Sequence, residues 1–238
     1  MATRILIVED DPDLRDAMSA ALTADGHVVD ACGSGSSALE ALAEGAHRLV
    51  LLDVGLGAGL DGIEVCRRLR RADDDAYIMM ITARGGEPDI VLALEAGADD
   101  YVTKPVGVTE LRSRVRAALR RLGPSPAVAG SPSRTTGRPE TLEHAGLSLD
   151  PTRRTAEVDG IVLELTRSEF AVLEELLRAG GAVRSRMELT RAIYGDDAYR
   201  DPRNVDVHLH HLRQKLDEAG GDPAWLVTVR GAGYRLGR

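Results

Sequence analysis

Three carboxylates, a threonine and a lysine sit at or just past the ends of short apolar runs in this 238-residue chain. Glu9 and Asp10 follow ILIV (5–8), Asp53 lies near the end of RLVLLDV (48–54), Thr82 closes AYIMMIT (76–82), and Lys104 follows DYVT (100–103). Carboxylates gathered in one crevice repel each other unless a cation neutralises them. A hard oxygen set that keeps some waters suits Mg2+ better than a transition metal. A hydroxyl and an ammonium alongside are what the equatorial oxygens of a transferring phosphoryl group require. Asp53 is then a candidate nucleophile that forms an aspartyl phosphate.

That chemistry needs a scaffold that brings the five residues together. The runs at 5–8, 27–31, 48–54, 76–82 and 100–103 predict buried strands, and 12–25, 36–45, 62–72, 88–96 and 108–122 carry helical spacing between them. Asp11-Pro12 offers an N-cap followed by proline at the first helical position, and Gly26 and Gly97 sit where helices should stop. Strictly alternating strands and helices predict an α/β fold, (βα)5, doubly wound on a parallel sheet. Ligands of such sheets bind outside the carboxyl ends of the strands, where these residues fall.

Residues 123–140, rich in Pro, Gly, Ser and Thr, predict a flexible linker between domains at 1–122 and 141–238. The second domain reads as α+β. Short strands are expected at 146–149, 154–158 and 161–164. Thr166-Arg-Ser-Glu169 and Ser185-Arg-Met-Glu188 are capping boxes that start two helices. A third helix begins at Asp201-Pro202 and runs to about Glu218, and residues 225–229 and 234–236 form a closing hairpin. Val205, Leu209, Leu212 and Leu216 give the third helix a docking stripe. Its other face carries Arg203, Val207, His210, His211 and Gln214, flanked by Asn204, His208, Arg213 and Lys215. Val207 suits a thymine methyl in a major groove, and Arg203, Asn204 and Arg213 suit phosphates.

The composition narrows the class. The chain is acidic overall, at −8, yet its last 39 residues hold 7 basic against 5 acidic groups, which suggests separate partners for its two halves. Two cysteines, Cys32 and Cys66, are too few for a disulfide framework or a structural zinc site. No apolar stretch is long enough to span a membrane, and carboxylates interrupt the N-terminus where a signal peptide would be apolar. A cytoplasmic protein with no membrane partner is expected.

The ordered set Glu9-Asp10, Asp53, Thr82-Ala83 and Lys104-Pro105, with GADDYVTKP (97–105), resembles the receiver domain of two-component response regulators. RNVDVHLHHLRQKL resembles the recognition helix, and TVRGAGYRL the wing, of the OmpR/PhoB family, whose winged helix-turn-helix binds DNA. The resemblance covers the chain except the linker. It implies a transcription regulator, a switch rather than an enzyme, phosphorylated on Asp53 by a sensor histidine kinase. It also implies Mg2+ on Glu9, Asp10, Asp53 and the Gly55 carbonyl, with Lys104 pairing the phosphoryl group and Thr82 and Tyr101 moving as the switch. Homodimerisation on activation would use Glu95, Asp99, Asp100, Arg112, Arg116 and Arg120. Promoter DNA would be held as tandem half-sites by the third helix and by wing residues Thr228, Arg230 and Tyr234. Residues 194–203 would be the loop that touches RNA polymerase.

Two departures from the family pattern motivate a rival of the same fold that binds DNA without phosphorylation. The loop after Asp53 has Gly57 where the family has proline and is one residue longer before Gly62, and Ile90 replaces a lysine common in the fourth helix. Gly57-x-Gly59-x-x-Gly62 matches a dinucleotide fingerprint, but it follows the third strand rather than the first, and the next strand ends in Thr82 instead of an acidic residue. An aspartyl-phosphate phosphatase of the haloacid-dehalogenase kind is a more distant rival. Such enzymes carry a second aspartate two residues past the nucleophile, where this chain has Gly55.

Overall fold

The computed structural model describes residues 2–45, 47–57, 59–72, 76–83, 86–122, 141–195 and 204–237. The expected linker at 123–140, Arg203 and most of the loop at 194–203 lie outside the described residues. The chain divides into two compact units, Met1–Gly130 and Ser131–Arg238.

In the first unit β1 (Arg4–Val8), α1 (Pro12–Ala24), β2 (Val28–Cys32), α2 (Gly35–Glu44), β3 (Leu49–Asp53), α3 (Gly62–Arg71), β4 (Tyr77–Thr82), α4 (Glu87–Glu95), β5 (Asp100–Thr103) and α5 (Val108–Leu122) alternate along the chain. The strands form one parallel sheet in the order β2-β1-β3-β4-β5. Helices cover both faces, so the central strands are apolar on both sides, and every residue of β3 and β4 is buried. Leu6, Val8, Val50, Leu52, Ile78 and Met80 pack with Ala38, Val65, Leu69 and Ala93 from α2, α3 and α4. The alternate residues Ile5, Ile7, Leu49, Leu51, Met79 and Ile81 pack with Met18 and Leu22 of α1 and Leu111 and Val115 of α5. The strand order reverses between β1 and β3, whose registers pair Val8 with Leu52, so the residues that follow, Glu9 and Asp53, emerge side by side at the switch point.

In the second unit β6 (Leu142–His144), β7 (Leu147–Asp150), β8 (Thr155–Val158) and β9 (Ile161–Val162) form an antiparallel meander. Then come α6 (Arg167–Arg178), α7 (Arg186–Tyr194), α8 (Asn204–Glu218), a 3-10 turn (Pro223–Trp225) and the hairpin β10 (Leu226–Val229) and β11 (Gly233–Leu236). Arg184 pairs with Tyr234, which ties the segment before α7 to the hairpin. Both capping boxes form, with Thr166 and Ser185 accepting from the amides of Glu169 and Glu188 while those carboxylates accept in return. The docking stripe of α8 is fully buried against Phe170, Leu173 and Leu176 of α6. β6 and the 3-10 turn fall outside the expected strands and helices, and β9 stops at Val162 rather than 164. LEH is too short to display alternation, which is why composition gives no sign of it.

Candidate phosphoacceptor site and nucleic-acid interface

The acidic pocket begins with backbone termination. β1 and β3 both end at the crevice, and the Asp11 side chain caps α1 by accepting from the amides of Asp13 and Leu14, which turns the chain sharply after Asp10. Arg15, one turn into α1, donates from Nη1 to the Glu9 carbonyl at 2.8 Å and to the Asp10 carbonyl at 3.4 Å. It steadies the loop that carries both carboxylates, a role that no spacing in the sequence announced. Carboxylate oxygens of Glu9, Asp10 and Asp53 lie within 4.8 Å of one another. Glu9 and Asp53 are buried, whereas Asp10 is exposed at the mouth.

Lys104 holds this arrangement together. Its Nζ donates to Asp53 Oδ2 at 2.7 Å and to Glu9 Oε1 at 2.8 Å. Burial raises the Glu9 carboxyl above its ordinary range and the neighbouring Asp53 pushes it the same way, while the Lys104 hydrogen bond opposes both. Burial would lower the Lys104 ammonium, but its hydrogen bonds to Asp53 and Glu9 outweigh that and hold it above the ordinary value. Glu9 Oε2, also 2.8 Å from the ammonium, has no hydrogen bond aligned on it. One cation for three carboxylates leaves net negative charge, and an all-oxygen donor set with Asp10 exposed at the mouth fits Mg2+.

Around this core Gly55 donates its amide to Asp53 Oδ1 at 3.1 Å. Thr82 is buried at the end of β4, and Lys104 donates its amide to the Thr82 carbonyl at 2.7 Å, so the hydroxyl-bearing and ammonium-bearing strand ends are tied together. Tyr101 is already inside, packed with Ala93 and Ala96. Gly62 opens α3 so close to Asp53 that a Cβ there would lie 2.1 Å from the Asp53 carbonyl oxygen. Gly57 has φ +66, a conformation that the proline common at this position in the family forbids, and Gly59 has φ +110, which also favours glycine.

In the second unit α8 exposes His210 and Gln214, with Val207 and Arg213 half-exposed, beside the exposed hairpin residues Thr228 and Arg230. This is a helix-plus-hairpin surface of the kind that reads DNA.

Two family models divide the chain accordingly: the response regulator receiver domain matches residues 5–116, and the C-terminal domain of transcriptional regulatory proteins matches 160–236. The chain is similar to the transcriptional regulatory protein TcrA of Mycobacterium tuberculosis, at 42% identity over 98% of this chain and 87% of the relative. It is 40% identical to the transcriptional regulatory protein AfsQ1 of Streptomyces coelicolor, over 98% of this chain and 97% of the relative. The chain is a response regulator of the OmpR/PhoB family. Among solved structures, a RitR mutant superposes with a TM-score of 0.73 at 25% identity, covering 100% of both chains. DrrB, a Thermotoga maritima OmpR/PhoB homologue, gives 0.51 at 26% identity, also over 100% of both.

The response regulator's three helices and hairpin correct several expectations. His208 is no DNA contact: it is buried, with Nε2 3.4 Å from the Tyr194 hydroxyl, and burial pushes its pKa down to about 4. Asn204 is also buried. His211 is mostly turned inward, 3.6 Å from Glu169, which also accepts from Lys215 at 2.7 Å. Burial alone would raise the Glu169 pKa, but His211 and Lys215 bring it to about 2. Tyr234 is buried, and its hydroxyl donates to Asp206.

The expected receiver dimer surface is reduced as well. Asp99 is buried, accepting from Arg70 at 2.6 Å and from the Ile78 amide at 2.9 Å, and Asp100 is buried beside its own Tyr101 amide. Arg112 is occupied by Asp25 of α1. Glu95, Arg116 and Arg120 remain exposed. No helix among the described residues is long and apolar enough to cross a membrane.

Proposed function

We propose that Asp53 is the phosphoacceptor and that its phosphorylation governs promoter binding by the second domain. The reading is carried by one observation: a lysine ammonium bridging two buried carboxylates beside a third, at the switch point of the sheet. An Asp53 carboxylate oxygen attacks the phosphorus of a phosphohistidine on the sensor kinase, or of a small acyl phosphate. The phosphorus–nitrogen or phosphorus–oxygen bond to the donor breaks, and the donor leaves with that electron pair. Glu9, Asp10, Asp53 and the Gly55 carbonyl would hold Mg2+, which supplies charge neutralisation for the incoming phosphoryl group.

Lys104 then exchanges its Asp53 contact for a phosphoryl oxygen, and Thr82 turns its hydroxyl to a second. Movement of Thr82 would reach the surface of α4, β5 and α5 through Tyr101, which packs with Ala93 of α4. Dimerisation through that face would use Glu95, Arg116 and Arg120, aligned by charge pairs that specify orientation more than they stabilise. Val207, His210 and Gln214 would enter a major groove and Arg230 the adjacent minor groove, with two copies on half-sites about one helical turn apart. RNA polymerase would meet the loop before α8.

The test is molar mass by light scattering with and without acetyl phosphate and Mg2+. Doubling of mass together with tighter duplex binding supports the reading. A monomer that is fully phosphorylated yet binds DNA unchanged supports regulation without phosphorylation, a second reading favoured by the left-handed glycines after Asp53.

A further inference from the structure

Wing and recognition helix are joined by a polar bracket at the edge of the apolar core, to which the Tyr234 ring belongs. Asp206, in the first turn of α8, accepts from Arg186 of α7 through Nε at 2.8 Å and Nη2 at 3.2 Å. The Tyr234 hydroxyl of β11 donates to Asp206 Oδ1 at 2.7 Å and accepts from Arg186 Nη2 at 3.0 Å. The Arg186 guanidinium carbon lies 5.0 Å from the centre of the Tyr234 ring, and that of Arg213 lies 6.0 Å from it. Arg213 continues the chain of contacts, donating from Nη2 to the Leu226 carbonyl at 2.5 Å and to Thr228 Oγ1 at 3.0 Å on β10. Side chains of α7, α8, β10 and β11 thus meet around one tyrosine.

The side chains of Arg186 and Asp206 are 34% and 41% exposed, so the pair contributes little to global stability. A two-point arginine–carboxylate contact nevertheless fixes direction as well as distance. Asp206 is a carboxylate one residue from Val207 on a helix that must approach phosphates, where an unpaired negative charge would be repelled. Arg186 neutralises it. Tyr234, expected in the sequence to touch DNA, turns its hydroxyl inward to the bracket instead.

We propose that Asp206, Arg186 and Tyr234 are positioning residues for DNA recognition. They set the offset between the reading face of α8, with Val207, His210 and Gln214, and the wing residue Arg230, so that both grooves are engaged at once. This inference rests on the DNA-binding reading above.

The test is a double-mutant cycle on the full chain, using a fluorescent duplex enriched by the wild-type chain from a randomised library, with affinity read by anisotropy at fixed salt. Arg230→Ala should weaken wild-type binding roughly tenfold. In Asp206→Asn or Tyr234→Phe backgrounds, with melting temperature unchanged, the same substitution should weaken it less than twofold, because the wing no longer arrives in register. Tyr234→Phe removes a single hydroxyl and carries the test if Asp206→Asn folds poorly. Equal factors in all backgrounds, including no effect in any, overturn the bracket. Failure of the wild-type chain to enrich any duplex overturns the DNA-binding reading itself.

Discussion

His208 makes the stability of the DNA-binding domain depend on pH. Burial holds its pKa down from the ordinary 6.5 to about 4, so the folded imidazole stays neutral while the unfolded one takes up a proton. The unfolded state therefore binds more protons between those values, and stability falls as pH drops through 6.5 toward 4. The full gap corresponds to about 3 kcal/mol, most of it lost by pH 4.5. Glu169, depressed from 4.5 to about 2, adds its own loss only below that point. Trp225 is the sole tryptophan of the sequence and packs on the core of this domain, so its fluorescence follows unfolding of this unit alone. Urea unfolding at pH 7 and pH 4.5 should differ by about 2–3 kcal/mol in wild type, and the difference should largely vanish in His208→Leu. A flat profile in wild type, or an unchanged slope in the variant, would refute the burial argument.

Other expectations follow from equally local geometry. Gly62→Ala drives a methyl group into the Asp53 carbonyl and should destabilise the receiver by about 1–3 kcal/mol and slow phosphorylation, read by thermal unfolding and phosphoryl incorporation. Asp10→Asn removes an exposed carboxylate from the metal cluster, so Mg2+ affinity by calorimetry should fall roughly tenfold or more with little change in melting temperature. Glu169→Gln leaves Lys215 without its carboxylate and should cost the second domain about 3 kcal/mol, again followed through Trp225.

The chain's two architectures are written in patterns of short range. Continuous apolar runs mark strands buried on both faces, and Thr166–Glu169 and Ser185–Glu188 mark helix starts because each box closes within four residues. The acidic pocket is readable for a related reason: doubly wound topology carries strand-end residues to one crevice whatever the loops do. What escaped reading depends on partners far away in sequence. Asp99 looks like a surface charge until Arg70, 29 residues earlier, and the Ile78 amide meet it inside. Tyr234 looks like a DNA contact until Arg186, 48 residues earlier, stacks on its ring. His208 did leave a trace, since Asn204, His208 and Leu212 fall four apart along α8, which widens the buried arc beyond the leucine stripe.

The central claim is that Asp53 receives a phosphoryl group in a pocket organised by Glu9, Asp10 and Lys104. Intact mass after incubation with acetyl phosphate, with and without Mg2+, tests it most directly. One phosphoryl adduct is expected, dependent on Mg2+ and absent from Asp53→Asn. Folded wild-type chain that gains no adduct, or an adduct that survives in Asp53→Asn, would contradict it.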